Sequence, residues 1–207
     1  MVMAETGTRR GRPRAFDRDA VVEQATRLFW ERGYEATSVG ELTEVMGIRP
    51  GSLYATFGDK KSLFKEVVAA YGRTPGGAFM GRALEEETTA YGAFSRMLRE
   101  AAEIYADPAH PAGCLVMCAA ANVTGQDADI AAYLRDVREK GFEVFVARLE
   151  AARKDGELPR DSDPRALAAY FAAVLRGMSE RARDGADSRE LGSVAELALA
   201  VWPGRRS

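Results

Sequence analysis

Residues 37–60 read Thr-Ser-Val-Gly-Glu-Leu-Thr-Glu-Val-Met-Gly-Ile-Arg-Pro-Gly-Ser-Leu-Tyr-Ala-Thr-Phe-Gly-Asp-Lys, and this stretch decides the fold. Thr37 or Ser38 caps a helix by accepting from backbone N–H groups that have no partner in the first turn. Glu41 stands three residues after Ser38, the spacing of a capping box. Val39, Leu42, Val45 and Met46 fall on one helical face. Gly47 sits where a helix end needs positive φ. Ile48 plugs the turn, and Pro50 suits the first turn of a second helix, where a missing N–H costs little. That second helix sends Leu53 and Phe57 inward and leaves Arg49, Ser52, Ala55 and Thr56 outward. Two short helices, the second with a small polar outer face, form a helix-turn-helix of the kind that enters a DNA major groove.

Working outward, Asp17 or Asp19 starts a helix that runs to about Arg32, with Val21, Val22, Ala25, Leu28 and Phe29 on its apolar face and Gly33 at its end. Asp59 caps a fourth helix of about 60–72 that carries Leu63, Phe64, Val67 and Val68 inward. Arg73-Thr74-Pro75-Gly76-Gly77 is a loop signal. Beyond it the chain shows little period-two alternation, and helices are expected at about 79–88, 90–106, 113–123, 127–155, 164–185 and 189–202. The fold class is therefore all-α. An N-terminal three-helix DNA-binding domain with the helix-turn-helix precedes a C-terminal helical domain. The expected division is a flexible basic arm at 1–15, a DNA-binding domain at 16–72 with its motif at about 38–57, and a regulatory domain at 73–207.

The run Phe16 to Phe64 resembles the N-terminal domain of the TetR family of bacterial transcriptional regulators. The resemblance lies in Ala25, Leu28, Phe29, Gly33, Tyr34, Thr37-Ser-Val, Leu42 and Gly47, and above all in Gly51-Ser-Leu-Tyr54 followed by Phe57, Lys60, Leu63 and Phe64. Gly58 departs from the family pattern, where a larger polar residue is common. The resemblance implies a homodimer, a double-stranded DNA operator and a small-molecule inducer held by the C-terminal helices. It also implies that Tyr54 and Lys60 touch the DNA backbone; for Tyr54, a place in the core is the other reading.

Composition agrees with a two-part molecule. The 207 residues carry a net charge of -2, but residues 1–65 alone carry +2 and the remainder -4. A basic end toward phosphate and an acidic end away from it fit a DNA-binding chain. No apolar run is long enough to span a bilayer, and the N-terminus lacks a signal core, so a soluble, cytoplasmic protein without a membrane partner is expected. An enzyme lacks its parts here: there is no Gly-rich phosphate loop, no His-Glu-x-x-His and a single histidine between prolines, and no cofactor is expected. A helical interaction module without DNA binding is the third class, and the presence of Arg49, Tyr54 and Lys60 speaks against it.

Phosphates supply affinity and base edges supply sequence. Thr37 and Ser38 are candidates for phosphate, Arg49 for a guanine edge, and Pro50, Ser52, Ala55 and Thr56 for the rest of the groove face. Gly11-Arg12-Pro13-Arg14 resembles the core of a minor-groove AT-hook, which makes Arg12 and Arg14 candidates for a narrow groove; the alternative is a tail that only releases counterions. A two-fold dimer with recognition helices about 34–36 Å apart would read a palindromic operator. For the dimer, the apolar residues of the last two helices are candidates: Leu167, Phe171, Val174, Leu175 and Met178, then Val194, Leu197, Val201 and Trp202. Burial of these stripes within one protomer is the competing reading.

The inducer pocket has as candidates Tyr91, Phe94, Met97, Leu98, Tyr105, Leu115, Met117, Phe142, Phe145, Tyr170 and Met178, each of which can equally be ordinary core, and their mix suits an apolar or aromatic molecule. Cys114 and Cys118 are four apart and share a helix face, with His110 four residues before. They read as buried small hydrophobes, as a thiol sensor or as soft metal ligands. A thiol- or metal-responsive regulator and a transcriptional activator are the alternatives to an inducible repressor.

Overall fold

A computed structural model describes residues 17–119 and 127–204, and every regular element among them is helical. The helices are α1 (Arg18–Arg32), α2 (Val39–Val45), α3 (Pro50–Phe57), α4 (Lys60–Tyr71), α5 (Pro75–Glu86), α6 (Ala90–Tyr105), α7 (Leu115–Cys118), α8 (Ala128–Lys154), α9 (Pro164–Arg183) and α10 (Ser188–Leu199). Their starts follow local chemistry. Asp17, Asp59, Asp163 and Asp187 each place a carboxylate oxygen on N–H groups of the first turn, as do the hydroxyls of Ser38, Thr74 and Thr89. Ser38 and Glu41 complete the capping box in both directions, at 3.2 and 2.8 Å.

α1 to α4 close over a small core. Leu42, Leu53, Leu63 and Phe64 are fully buried, and Phe64 meets the rings of Phe29 and Tyr34 edge-on, each at 5.0 Å. Val45, expected on the inner face of α2, is instead exposed. A helix of seven residues has room for only one narrow apolar stripe, and Leu42 and Met46 already fill it.

The remaining helices gather around α6, which packs against α5, α8, α9 and α10. Phe94 at its centre lies 4.9 Å from Phe171, 5.3 Å from Phe145 and 5.8 Å from Trp202 between ring centroids. Such aromatic contact adds to the burial of large apolar area.

Two expected boundaries move. The helix expected from 79 begins at Pro75, because Thr74 caps it and Pro75 occupies the first turn. Gly77 is required there for close approach: a Cβ would lie 2.0 Å from the Tyr71 carbonyl oxygen. The Pro-Gly-Gly run is thus a tight helix start as well as a break. The helix expected over 113–123 is only the single turn of α7 within the described residues.

The two halves meet through α7, which touches α1, α4, α8 and α9. The Tyr34 N–H donates to the Ala119 carbonyl at 3.1 Å, Arg27 to the Ala109 carbonyl at 3.1 Å and Arg183 to the Trp30 carbonyl at 3.3 Å. Trp30 stacks on His110 at 4.7 Å.

Candidate nucleic-acid interface and ligand cavity

α3 offers an open N-terminus and an open side. Arg49 is its N-cap with extended backbone, makes no side-chain cap bond and is exposed, as are Pro50, Tyr54 and Ala55. Ser52 and Thr56 are half-buried at the edges of that face. Leu53 and Phe57 anchor the opposite side in the core. The outward face therefore carries a guanidinium, a phenol and small groups that allow close approach, on a helix anchored from behind. Tyr54 is 52% exposed, so the core reading of this residue does not hold.

Thr37 requires correction. It is fully buried, and its hydroxyl donates to the Gly33 carbonyl at 2.7 Å, so its side chain ties the α1–α2 turn and does not face a phosphate. Ser38 stays at the surface, with its hydroxyl and N–H both engaged by Glu41. These donors hold the Glu41 carboxyl below its ordinary range, and Arg32 forms an ion pair with it. Arg12 and Arg14 lie outside the described residues.

The lysines of α4 are less free than the sequence suggests. The Lys60 ammonium sits 4.2 Å from the centre of the Tyr34 ring, and partial burial pushes its pKa down. Lys61 bonds Asp129 at 2.7 Å and Asp127 at 3.0 Å, which raises its pKa and ties α4 to the start of α8. Arg18 forms a bidentate pair with Glu66 and lies over the Phe57 ring. Arg49 has no ion pair among the described residues.

A half-open cavity of about 700 Å³ lies between α4, α5, α7, α8 and α9. Val68, Tyr71, Met80, Met117, Phe142 and Phe145 supply apolar wall, and Arg135, Arg138, Glu139 and Arg176 supply charge. Only Met117, Phe142 and Phe145 were expected there. Phe94, Met97, Leu98, Tyr105, Leu115 and Met178 are sealed in the core, Tyr91 packs edge-on against Trp202, and Tyr170 is on the outer surface of α9. The physical reason is that the largest side chains fill the centre of the helical domain, while the cavity opens where smaller and longer flexible residues of α8 and α9 face each other. Apolar patterning does not mark the three arginines, because the cleft is lined by charged as well as apolar side chains of α8 and α9.

Cys114 borders this cavity and is nonetheless only 2% exposed. Tyr71 donates toward its sulfur at 3.6 Å, and burial pushes the thiol up, away from the reactive thiolate. Its N–H donates to the Ser179 hydroxyl at 2.9 Å, and the Cys118 sulfur lies 3.5 Å from the same oxygen. Among the described residues no three His, Cys, Asp or Glu side chains converge on a metal-sized site.

The dimer candidates also divide. Phe171, Leu175, Met178 and Trp202 are buried within their own protomer and cannot meet a partner. Leu167, Val174 and Val194 are half-buried against the same core. Leu197 on α10, 73% exposed, and Val201 just beyond its end, 50% exposed, face outward. Beside them α9 turns out a stripe of small side chains, Ala166, Ala169, Ala173 and Gly177, with Tyr170. The large apolar stripe of each helix serves the core, so the free surface lies on the other stripe, displaced by one or two residues.

Among the described residues no helix is long and apolar enough to cross a membrane. Residues 21–67 match the family model for bacterial regulatory proteins, tetR family, and residues 92–197 match the tetracyclin repressor-like C-terminal domain. The chain is 32% identical over 197 residues to the HTH-type transcriptional repressor ComR of Escherichia coli (strain K12), covering 94% of this chain and 92% of that protein. It is 30% identical over 188 residues to the HTH-type transcriptional repressor BdcR of the same strain, covering 91% of this chain and 90% of that protein. The solved structure of a cysteine-substituted CifR, a TetR family transcriptional regulator in complex with a 26-bp double-strand operator DNA, is 38% identical with a TM-score of 0.88, covering 93% of this chain and 100% of that one.

Proposed function

The chain belongs to the tetR family of bacterial regulatory proteins, a DNA-binding transcriptional regulator and not an enzyme, and from that premise we propose that it is a homodimeric repressor acting in the cytoplasm, released from a palindromic operator by a small molecule. The observation that carries this reading is the pairing of an exposed face on α3 with a half-open cavity bordered by α7, the element that also touches α1. Arg49, Pro50, Ser52, Tyr54, Ala55 and Thr56 form the groove face. Ser38 and Lys60 reach toward phosphate at its margins, Lys60 by leaving the Tyr34 ring.

The outward stripes of α9 and α10 support a two-fold partner. Small residues on α9 permit close helix approach, and Leu197 and Val201 would be withdrawn from water. A ligand acts by preferring a conformation whose recognition helices are mis-spaced for the groove. The mechanical route is short. Val116 and Met117 line the cavity on α7, and Ala119, directly after α7, accepts the Tyr34 N–H at the exit of α1. A thiol-responsive mode through Cys114 is the weaker reading, because that sulfur is buried with a raised pKa.

An electrophoretic shift with DNA from upstream of the protein's own gene tests the reading. A sequence-specific band containing two protomers, with footprint centres one helical turn or a multiple apart, is expected. Absence of any sequence-specific band removes it.

A further inference from the structure

We propose that the cavity takes a molecule with an apolar body and a single oxyanion head, and that Arg138 holds the head. The inference rests on the reading of this cavity as the inducer site and names the chemical class it admits. The walls are mainly apolar, with Met80, Met117, Phe142 and Phe145 among them, and the cationic groups are Arg135, Arg138 and Arg176. The carboxylate on the lining, Glu139, is approached by Arg165, with Nη2 at 3.8 Å. No ion pair among the described residues engages any of the three lining arginines.

Arg138 stands out among them. It is half-buried, and its Nη1 donates to the Val116 carbonyl at 3.0 Å. That bond fixes the guanidinium plane, and among the described residues it is the one hydrogen bond this side chain makes. Nε and Nη2, the edge that grips an oxyanion with two parallel bonds, have no acceptor among the described residues. Burial pushes the Arg138 pKa down and the positive charges of Arg176 and Arg135 push it further, while Cys114 opposes them to a smaller extent. A partly desolvated cation beside two like charges is costly until an anion arrives. A neutral apolar ligand would fill the volume and leave that repulsion in place. An oxyanion would cancel it, so the same three side chains that destabilise the empty site favour the charged form of a ligand over its neutral isostere. A carboxylate and a phosphate monoester share this chemistry.

The test is calorimetric titration of the full-length protein with octanoate, octyl phosphate and uncharged octanamide, and with 4-phenylbutyrate against its primary amide. At least one anion is expected to bind ten-fold or more tightly than its neutral counterpart, and the carboxylate and phosphate arms identify the head. In Arg138→Gln the ratio is expected to fall to near one, with the affinity for the amides retained. Arg176→Gln, an exposed position that spares the fold, is expected to lower the ratio partly. Equal affinity for anions and amides, a preference that survives in Arg138→Gln, or no binding by any of the five probes overturns the proposal. Anisotropy of a labelled promoter fragment separates this from the inducer reading. Arg138-dependent anion binding that leaves the DNA complex intact sinks the inducer role alone, whereas release by amides and anions alike sinks the anion preference alone.

Discussion

The backbone N–H of Tyr34 donates to the carbonyl of Ala119 at 3.1 Å, joining the exit of α1 to the residue after α7. The Tyr34 ring itself meets the Phe64 ring edge-on and lies under the Lys60 ammonium, so α7 connects to the core of the helix-turn-helix half through this one residue. Cavity wall and helix-turn-helix are therefore connected through packed groups with few intermediate steps.

Arg49→Ala is expected to weaken operator binding ten- to a hundred-fold, in keeping with about 1–3 kcal/mol for a bidentate base contact. Tyr54→Phe removes only the phenolic hydroxyl and should cost a few-fold. Both residues are exposed, so the melting temperature should hold. Anisotropy titrations at several salt concentrations check this. If Arg49 reads a base, the loss is largest on the operator and small on unrelated DNA; a uniform loss assigns it to phosphate.

Leu197→Glu should convert the proposed dimer to a monomer at micromolar concentration. The side chain is 73% exposed in the protomer, so helical content should not change, while a carboxylate buried against a partner is strongly disfavoured. Sedimentation equilibrium gives the mass directly. A variant that stays dimeric would move the interface away from α10.

Gly113→Ala should destabilise the fold by roughly 2 kcal/mol, lowering the melting temperature by about 4–8 °C. The residue has φ of 81°, and a Cβ there would lie 2.6 Å from the Ser179 carbonyl oxygen and 2.8 Å from its hydroxyl. Thermal unfolding followed by circular dichroism is the check, and an unchanged melting temperature would mean that the loop can lift off α9.

Ellman's reagent should react slowly with the native protein and count both cysteines only after denaturation. Cys114 and Cys118 are buried, and the Cys114 thiol is held neutral. Rapid reaction of one thiol in the folded state would restore thiol sensing as a serious mechanism.

The helix-turn-helix was legible because its signals are local. Ser38, Glu41, Gly47 and Pro50 act within a few residues of themselves, and their positions carry over almost unchanged. Thr37 was misread because two local roles compete, and its hydroxyl satisfies the Gly33 carbonyl instead of the next helix. The cavity was poorly legible for the opposite reason. Arg138 and Arg176 lie 38 positions apart in the chain, and only the packing of α8 on α9 brings them to one cleft. The apolar candidates on the last two helices divide between core and surface for a subtler reason. A helix such as α9 has two usable stripes, and hydrophobicity alone marks the one that its own core consumes.

α9 divides its circumference among three tasks. Phe171 and Leu175 point to the core, Ala172 and Arg176 border the cleft, and Ala169, Ala173 and Gly177 reach the surface, with Ala173 touching cleft and surface alike. On the function proposed above, substitutions at 172 and 176 would retune the response to a ligand while the outward stripe, and with it the choice of mating subunit, is inherited intact. Paralogues descended from such a chain could diverge in the signal they answer long before they stopped exchanging subunits, and mixed pairs would then respond to two signals at once.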